Sequence, residues 1–282
     1  MNKIVSKKQL SDEVFKFVIE ARDIAENAEP GQFLVVHQGG EGDERIPLTI
    51  ADKDVTHGTV TLVFQTVGES THRLAKLNCG DYIAHVLGPL GTPSEIEKFG
   101  HVVCVGGGIG LAPLYPIAKA LKEAGNKVTI IAGARRKDLL VMMEENSSVD
   151  PDIIICTDDG SCGRKALVTE PLKELCETGS VDRVIAIGPP IMMKFCSKTT
   201  EPFKIPTVVS LNTLMVDGTG MCGCCRVSIG DKTKFVCVDG PDFDAHLVDW
   251  DNMFARMGTY KEYETEHHHK CHIDLHIEEG KA

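Results

Sequence analysis

The stretch that decides the fold is HVVCVGGGIGLAPLYPIAKALKEAGNKVTIIAGA, residues 101–134. A short apolar run leads into a glycine-rich loop, then into a segment whose apolar residues have helical spacing, and then into a second apolar run. This order predicts a β-loop-α-β unit of a parallel sheet. Because DIIICTDDG at 152–160 and DRVIAIGPP at 182–190 repeat the apolar run followed by a turn, we expect a parallel sheet covered by helices over residues 99–208.

The loop between the first predicted strand and helix carries glycine at positions 106, 107, 108 and 110. Glycine lets the backbone approach a pyrophosphate closely, and the free N–H groups at the start of a helix supply a positive end. A tight strand-to-helix turn would also use glycine, but this loop follows a strand at the edge where open parallel sheets bind ligands. We therefore predict a nucleotide site here, with the candidate residues Gly107, Gly108, Gly110, Ala112, Pro113, Asp158, Asp159, Gly188, Pro189 and Met192.

The residues that follow the neighbouring strands bear on the choice of nucleotide. Carboxylates such as Asp158 and Asp159 accept hydrogen bonds from ribose hydroxyls and repel a 2′-phosphate, which favours NAD(H) over NADP(H). Arg135 and Arg136 favour the opposite choice, because a guanidinium can hold a phosphate. We predict NAD(H), and the alternative that the two aspartates only cap the helix after Lys165 stays open.

The first ninety or so residues contain short segments of period-two alternation separated by turn residues. Phe15, Phe17 and Ile19 share one face of such a segment, and the apolar residues at 60, 62 and 64 share a face of another. This pattern predicts antiparallel β-structure, with one convincing helix at 69–76. Because an open sheet of short strands would expose two edges with unpaired backbone groups, we expect a closed six-stranded barrel over residues 1–98.

Several short motifs of these two regions occur together in one known family. They are PGQF at 30–33, RIPLT at 45–49, GEST at 68–71, LGPLG at 87–91, the glycine loop ending in Ala112-Pro113, and GPP at 188–190. With these motifs, residues 1–210 resemble the ferredoxin reductase-like flavoproteins, which are built from an FAD-binding barrel and a nicotinamide-nucleotide domain. The resemblance implies that FAD is bound by Arg45, Ile46, Pro47, Leu48, Thr49, Val63, Phe64, Gln65, Gly68, Ser70 and Thr71.

The flavin motif of this family places an Arg three positions before a Ser or Thr, whereas Arg45 precedes Thr49 by four. The resemblance implies that the Thr49 hydroxyl bonds the edge of the flavin ring and that the N–H groups of Ser70 and Thr71 meet a phosphate. Since the Arg45 segment contains no Tyr, we expect an apolar residue such as Leu48 to stack on the flavin. A solvated Arg45 without a cofactor contact is the alternative.

Eleven cysteines occur in the chain, and four of them fall within the sixteen positions from 222 to 237. Asp217, Cys222, Cys225 and Cys237 follow the C-x4-C-x2-C…C spacing of plant-type [2Fe-2S] ligands, with Asp in the first position. A carboxylate is a legitimate though harder ligand for iron, and it should alter the cluster potential. The glycines at 218, 220 and 223 would let the loop wrap closely. We therefore predict a [2Fe-2S] cluster held by these four residues.

Two other uses of the cysteine cluster stay open. Cys224 could supply a fourth thiolate in place of Asp217, although adjacent residues of an extended loop project in opposite directions. A structural zinc site could use Cys222, Cys224, Cys225 and Cys237, although Cys-x-Cys-Cys crowds the usual spacing of zinc ligands. The six cysteines scattered through the rest of residues 1–210 are expected to be inert thiols.

Composition narrows the remaining choices. The net charge of −11 repels nucleic acid, and no apolar run reaches the roughly 20 residues that cross a bilayer, so we expect neither a nucleic-acid nor a membrane partner. The N-terminus resembles no secretion signal, and we expect a cytoplasmic protein. We divide the chain into an FAD barrel (1–98), an NAD domain (99–208), a cluster segment (209–255) and an acidic, His-rich tail (256–282). The tail's histidines could bind a metal, but we expect the tail to be exposed.

With the cluster segment included, the resemblance extends to about residue 255 and narrows to electron-transfer subunits that carry FAD and [2Fe-2S]. These include the subunits of dihydroorotate dehydrogenase, normally with four cysteines, and the small subunits of NADH-dependent reduced ferredoxin:NADP+ oxidoreductase, which the Asp-first pattern resembles more closely. The resemblance implies hydride exchange between NAD(H) and FAD, since flavin alone can link two-electron nicotinamide to a one-electron cluster. It also implies a larger flavin and iron-sulfur partner subunit, in a heterodimer or higher assembly, and an indirect link to ferredoxin through electron bifurcation.

We expect no catalytic acid or nucleophile in this chain, because the carriers supply the chemistry. Within the enzymes, a subunit of dihydroorotate dehydrogenase or of a sulfide dehydrogenase is the alternative function. Outside them, the alternative is a zinc-stabilised nucleotide-binding module that transfers no electrons.

Overall fold

A computed structural model of the chain describes residues 1–40 and 43–259. The histidines and Cys271 of the predicted tail therefore lie outside the described residues. No helix of the described part is both long and apolar enough to cross a lipid bilayer.

The N-terminal region forms an antiparallel sheet that curls into a nearly closed barrel. Its strands are β1 (Asn2–Gln9), β2 (Val14–Glu20), β3 (Phe33–His37), β4 (Ile46–Asp54), β5 (Thr59–Gln65), β6 (Tyr82–Ile83) and β7 (His85–Leu90). They lie in the order β6-β1-β2-β5-β4-β3-β7. Helix α1 (Arg22–Asn27) follows β2, and helix α2 (Glu69–Lys76) follows β5. The six predicted strands are present, and the two-residue β6 adds a seventh; no ladder joins β6 to β7 in the described residues, so closure is incomplete.

Period-two alternation places the barrel core. Phe17 and Ile19 of β2 are fully buried, and so is Val60 of β5, which pairs with Ile19. The rings of Phe17 and Phe64 pack edge to face with centroids 5.1 Å apart. Burying an apolar side chain of this size contributes about 1.5–3 kcal/mol, so the alternating face holds the sheet in one register.

The middle region forms the predicted parallel sheet. Its strands are β8 (His101–Gly107), β9 (Lys127–Ala134), β10 (Ile154–Thr157), β11 (Arg164–Lys165), β12 (Arg183–Ile187) and β13 (Thr207–Ser210). They lie in the order β11-β10-β9-β8-β12-β13, and each neighbouring pair is parallel. The connecting helices are α3 (Leu111–Glu123), α4 (Met143–Val149), α5 (Thr169–Glu177) and α6 (Pro190–Thr200).

Helix α3 packs the two domains together. Its residues Leu111, Leu114 and Leu121 are fully buried, and they share a core with Val63 and Ala51 of the barrel. The spacing of these leucines puts them on one face of the helix. The barrel and the sheet are therefore joined by a common apolar interface.

The C-terminal segment is built onto the edge of the parallel sheet. It contains β14 (Arg226–Ile229), β15 (Lys232–Phe235), α7 (Val236–Asp239), β16 (Asp242–Asp244) and α8 (Trp250–Met257). Strands β14 and β15 form a hairpin, and β16 pairs antiparallel with β13 as a seventh strand of the sheet. Cys225 and Cys237 share a buried core with Phe33 and Val35 of the barrel, so the segment contacts both domains.

Candidate functional site

The glycines of the loop after β8 serve two different purposes. A Cβ on Gly110 would lie 2.2 Å from the Ile187 carbonyl oxygen, and one on Gly107 would lie 2.4 Å from the Met192 sulfur. A Cβ on Gly188 would in turn lie 3.0 Å from the Gly107 backbone. Gly110 and Gly188 are required because the loops after β8 and β12 approach backbone to backbone, and Gly107 leaves room for the Met192 side chain. These reasons are structural and involve no ligand.

Gly108 is the glycine of this loop that faces open space. Its φ is +55°, a conformation that other residues rarely adopt, and no heavy atom lies within 4 Å of a Cβ built there. It begins the short 3-10 turn Gly108–Gly110 that leads into α3. Backbone N–H groups at the start of this helical segment therefore border open space, called the cradle below, that a pyrophosphate could enter. Pro113 lies in the first turn of α3 as predicted, and Ala112 is buried.

The loops after β9 and β10 are joined at the same edge of the sheet. The Asp158 and Asp159 N–H groups donate to the carbonyl oxygens of Ala134 and Arg135, at 3.1 and 3.2 Å. The Asp159 carboxylate accepts from the Ser161 N–H at 2.9 Å, and hydrogen bonds from Ser161 lower the pKa of Asp159. Helix α5 begins without a side-chain cap, so the open alternative that the aspartates cap the helix after Lys165 is wrong.

Two cationic side chains lie beside these aspartates. Arg136 is engaged with Asp138, with 2.9 Å between Nε and Oδ1. The Arg135 side chain is exposed and has no hydrogen bond or ion pair with the described residues. This edge of the sheet therefore carries the exposed Asp158 carboxylate and the exposed Arg135 guanidinium, which has no ion-pair partner among the described residues.

Many of the predicted flavin residues have side chains in the core. Ile46 and Leu48 point into the barrel, as does Phe64, while Val63 packs against α3. The structure therefore does not bring the Leu48 side chain to the surface, and the expected stacking of a flavin on it is not supported. The alternation of β4 explains this, because Pro47 and Thr49, on the opposite face, are only half-buried.

Helix α2 begins where the resemblance requires it. The Thr71 hydroxyl accepts from the Gly68 N–H at 3.1 Å and donates to the Gly68 carbonyl oxygen at 2.9 Å, which fixes the first turn. The first N–H groups of a helix have no intrahelical acceptor, so those of Glu69, Ser70 and Thr71 can meet an anion. The Ser70 hydroxyl donates to Glu44 at 3.3 Å, and Gln65 donates to Glu13 at 2.9 Å.

The loop that precedes β14 is organised around the Asp217 carboxylate. Its Oδ2 accepts from the Thr219 N–H at 3.0 Å, from the Thr219 hydroxyl and from the Met221 N–H at 3.3 Å. Its Oδ1 lies 3.1 Å from Arg45 Nη1. The hydrogen bonds from Thr219, the strongest influence, and the charge of Arg45 hold the pKa of Asp217 below its usual value.

The predicted thiol ligands come together beside this carboxylate. Cys225 Sγ and Cys237 Sγ are 3.2 Å apart, and both are buried. Burial and the neighbouring Cys225 raise the pKa of Cys237 to about 12, although the Gly220 N–H lowers it. Cys222 is exposed, and N–H groups of Cys224 and Asp217 lower its pKa. Three of the predicted ligands thus lie in the loop before β14, and the fourth, Cys237, lies in the short helix α7.

A two-iron cluster and a single zinc ion need different arrangements of these ligands. In the described residues, no three His, Cys, Asp or Glu side chains converge as ligands of one ion. A mononuclear zinc site needs four ligands around one point, whereas two irons take their ligands as two pairs. Cys225 and Cys237, with 3.2 Å between their sulfurs, form one such pair, and the predicted ligand set leaves Asp217 and Cys222 for the other. Gly218, with φ +82°, fits the loop against the barrel, because a Cβ there would lie 2.9 Å from Val35.

Some functional contacts could not be found from the sequence motifs. The Arg45–Asp217 pair joins residues 172 positions apart. The carboxylate of Asp242 in β16 is buried and accepts from the Ser94 hydroxyl at 2.6 Å, and burial raises the pKa of Asp242. Ser94 belongs to the connection between barrel and sheet, so this bond ties the C-terminal segment to both. No motif marks either contact, and only the topology brings the partners together.

Two family models match the chain. The oxidoreductase NAD-binding domain matches residues 104–198, and the iron-sulfur cluster binding domain of dihydroorotate dehydrogenase B matches residues 212–249. The predictions of an NAD-binding domain in the parallel sheet and of an iron-sulfur domain after it are thereby confirmed.

Similar proteins cover nearly the whole chain. The dihydroorotate dehydrogenase B (NAD(+)) electron transfer subunit homolog of Thermotoga maritima is 48% identical over 94% of this chain and 93% of its own length. The electron transfer subunit of Caldanaerobacter subterraneus subsp. tengcongensis is 33% identical over 87% of this chain and 96% of its own. A chain of the NADH-dependent reduced ferredoxin-NADP oxidoreductase structure, described for flavin-based electron bifurcation, is 46% identical, with TM-score 0.90 over 96% of this chain and 97% of that chain.

Proposed function

The chain belongs to the family of dihydroorotate dehydrogenase B electron-transfer subunits, and from this premise we propose that it is the small subunit of an NADH-dependent reduced ferredoxin:NADP+ oxidoreductase. It is an electron-transfer subunit with an NAD-binding and an iron-sulfur domain. The observation that carries the finer proposal is Asp217 in the first position of the ligand spacing, where a four-cysteine subunit would carry a thiol.

The cofactors supply the redox chemistry when bound: NAD(H) exchanges a hydride with FAD, and the [2Fe-2S] cluster carries single electrons. The residues of this chain bind and orient them. We propose that the open space at Gly108 receives the dinucleotide and that the exposed Asp158 carboxylate accepts from a ribose hydroxyl. Pro47 and Thr49 offer a flavin-facing surface, and the N–H groups at the start of α2 offer a phosphate site. We assign the flavin contacts to these groups and only backbone contacts to the buried residues of the motif.

The cluster loop also has the features of an exit for electrons toward a larger partner subunit. Met221 is 87% exposed next to the exposed Cys222, and Val216 and Val238 are 53% and 44% exposed. An apolar rim around a partly open ligand loop suits a protein partner that excludes water there. We propose that the flavin and iron-sulfur partner subunit docks on this rim, and that ferredoxin is reached only through that subunit. None of the ten cysteines in the described residues forms a disulfide, which supports a cytoplasmic location.

The test of the cofactor set is anaerobic purification followed by a visible spectrum and analysis for FAD, iron and acid-labile sulfide. We expect one FAD and about two irons per chain. A colourless protein with zinc and no sulfide would overturn the proposal in favour of a zinc-stabilised nucleotide module.

Dihydroorotate dehydrogenase is the second candidate, because its iron-sulfur domain model matches residues 212–249. The complex isolated with its native partner separates the candidates. Reduction of NADP+ that depends on reduced ferredoxin supports the bifurcating enzyme. Turnover that depends on orotate supports dihydroorotate dehydrogenase. Turnover with sulfide alone would indicate a sulfide dehydrogenase.

A further inference from the structure

Arg45 makes a contact that its expected role does not explain. Its guanidinium Nη1 lies 3.1 Å from Asp217 Oδ1, although the resemblance assigns Arg45 to the flavin. The Asp217 side chain is 18% exposed and the Arg45 side chain is 54% exposed. The contact thus links the start of the flavin motif in the barrel to the first predicted ligand of the cluster.

The two oxygens of the Asp217 carboxylate have different surroundings. Oδ2 has three donors, namely the N–H and hydroxyl of Thr219 and the N–H of Met221. Oδ1 has one donor in the described residues, Arg45. Because a carboxylate oxygen has two lone-pair sites, Oδ2 is saturated by its loop, and Oδ1 keeps one site for a metal.

The packing of the loop makes the contact a built feature. Gly218, directly after Asp217, sits against Val35 of β3 and Leu90 of β7. Arg45 directly precedes β4, the strand that pairs with β3. The guanidinium is therefore carried just before a strand of this sheet, and the carboxylate is carried by a loop whose next residue packs against the same sheet.

We propose that Arg45 is a positioning residue for the Asp217 ligand: it orients the carboxylate so that Oδ1 faces iron, and its charge weakens the carboxylate as a donor. This inference rests on the proposed cluster. A weaker, charge-compensated donor favours the reduced state, which carries one more negative charge. Arg45 precedes Thr49 by four positions and not by the three of the usual flavin motif, which agrees with a partner other than the flavin.

The experiment compares wild type, R45Q, R45K and R226Q, all purified anaerobically as the full chain. R226Q is the matched control, because Arg226 follows Cys225 and bonds the Gly223 carbonyl oxygen at 3.1 Å without a bond to Asp217. The measurements are iron, sulfide and FAD content, the midpoint potential of the cluster and the EPR g values of its reduced form. The thermal unfolding midpoint of each variant shows whether it is folded.

We expect R45Q to keep FAD, to shift the midpoint potential to more negative values and to change the g values. R45K, which keeps the positive charge, should have a midpoint potential close to that of wild type. R226Q should have the same g values as wild type. Loss of the cluster from folded, FAD-replete R45Q, with recovery in R45K, would also support the positioning role.

Loss of FAD from R45Q with an unchanged potential and g values would overturn the proposal and return Arg45 to the flavin. An R45Q protein identical to wild type would overturn it as well. If wild type itself contained no iron or sulfide, the proposed function would fail, and that result is distinct from either outcome.

Discussion

Lys16 Nζ lies 2.6 Å from Glu145 Oε1, and this contact joins strand β2 of the barrel to helix α4 of the parallel sheet. Both side chains are only about one-quarter exposed, at 26% and 28%. The pair lies beside the apolar interface in which Val14 and Ala51 of the barrel meet α3. It therefore adds a polar contact to the apolar interface between two domains at whose junction a flavin and a nicotinamide would have to meet.

We expect E145Q to lower the free energy of unfolding at neutral pH by about 1 kcal/mol, the upper range for a partly exposed ion pair. Burial would raise the pKa of Glu145, but the Lys16 hydrogen bond and a local N–H outweigh burial, and the pKa lies below its usual value. A lowered folded-state pKa stabilises the fold only above the unfolded value, and the contribution is lost as pH falls through the lowered pKa. Thermal unfolding of wild type and E145Q from neutral to acidic pH should show the two curves converging.

The control for this pair is E177Q. Glu177 lies 3.8 Å from Lys173, and both side chains are more than half exposed, so we expect no measurable change in stability. Parallel pH curves for wild type and E145Q would contradict a role for the Lys16–Glu145 pair.

The two kinds of glycine in the nucleotide loop predict opposite phenotypes. G108A should fold, with a strain of about 1 kcal/mol from its positive φ, and should bind NADH about tenfold more weakly as the methyl group enters the cradle. G110A should lower the unfolding midpoint strongly, because its Cβ would meet the Ile187 carbonyl oxygen. NADH titration followed by tryptophan fluorescence or calorimetry measures the first effect, and thermal unfolding measures the second. Equal NADH affinity of G108A and wild type would remove Gly108 from the site.

The Asp158 carboxylate predicts the choice of nucleotide. We expect D158A to bind NADH about tenfold more weakly and NADPH no more weakly, because a ribose acceptor and a repulsive charge are removed together. The affinity ratio from parallel titrations with the two nucleotides is the measurement. R135A serves as the matched control, since it should weaken NADPH and leave NADH nearly unchanged. A constant ratio in D158A would mean that another residue selects the nucleotide.

Local patterns predicted the elements that are decided by short-range spacing. The apolar alternation of β2 and β5 placed the barrel core, and helix α2 has the predicted bounds, because Gly68 and Thr71 close its first turn locally. The buried side chains of the flavin motif could also have been inferred, since Ile46, Leu48 and Ile50 alternate with polar or small residues along β4. The family motif assigned these side chains to the flavin, although their alternation along β4 already indicates that they are buried.

Contacts between distant segments could not be predicted in this way. Strand β16 has three residues and joins the parallel sheet through β13, so no local signal distinguishes it from a loop. Ser94 and Asp242 are 148 positions apart, and their bond depends on how the C-terminal segment returns to the sheet edge. The ligand spacing predicted which side chains gather, while the partner of the Asp217 carboxylate required the fold.

The ligand set makes the most direct prediction. D217A should retain FAD and lose most of its iron, from about two per chain, because one iron would keep a single protein thiolate. D217C should retain the cluster at a more negative potential, since thiolate donates more electron density than carboxylate. C224S should keep both the iron and the midpoint potential of wild type, because the Cys224 thiol is not one of the four predicted ligands. The contact of Cys224 with Arg256, at 3.1 Å, is made by its backbone carbonyl oxygen, which the substitution leaves in place. Iron and sulfide analysis together with EPR distinguishes the three variants. Loss of iron in C224S together with full iron in D217A would assign the fourth ligand to Cys224. The prediction that Asp217 is a ligand would then be wrong.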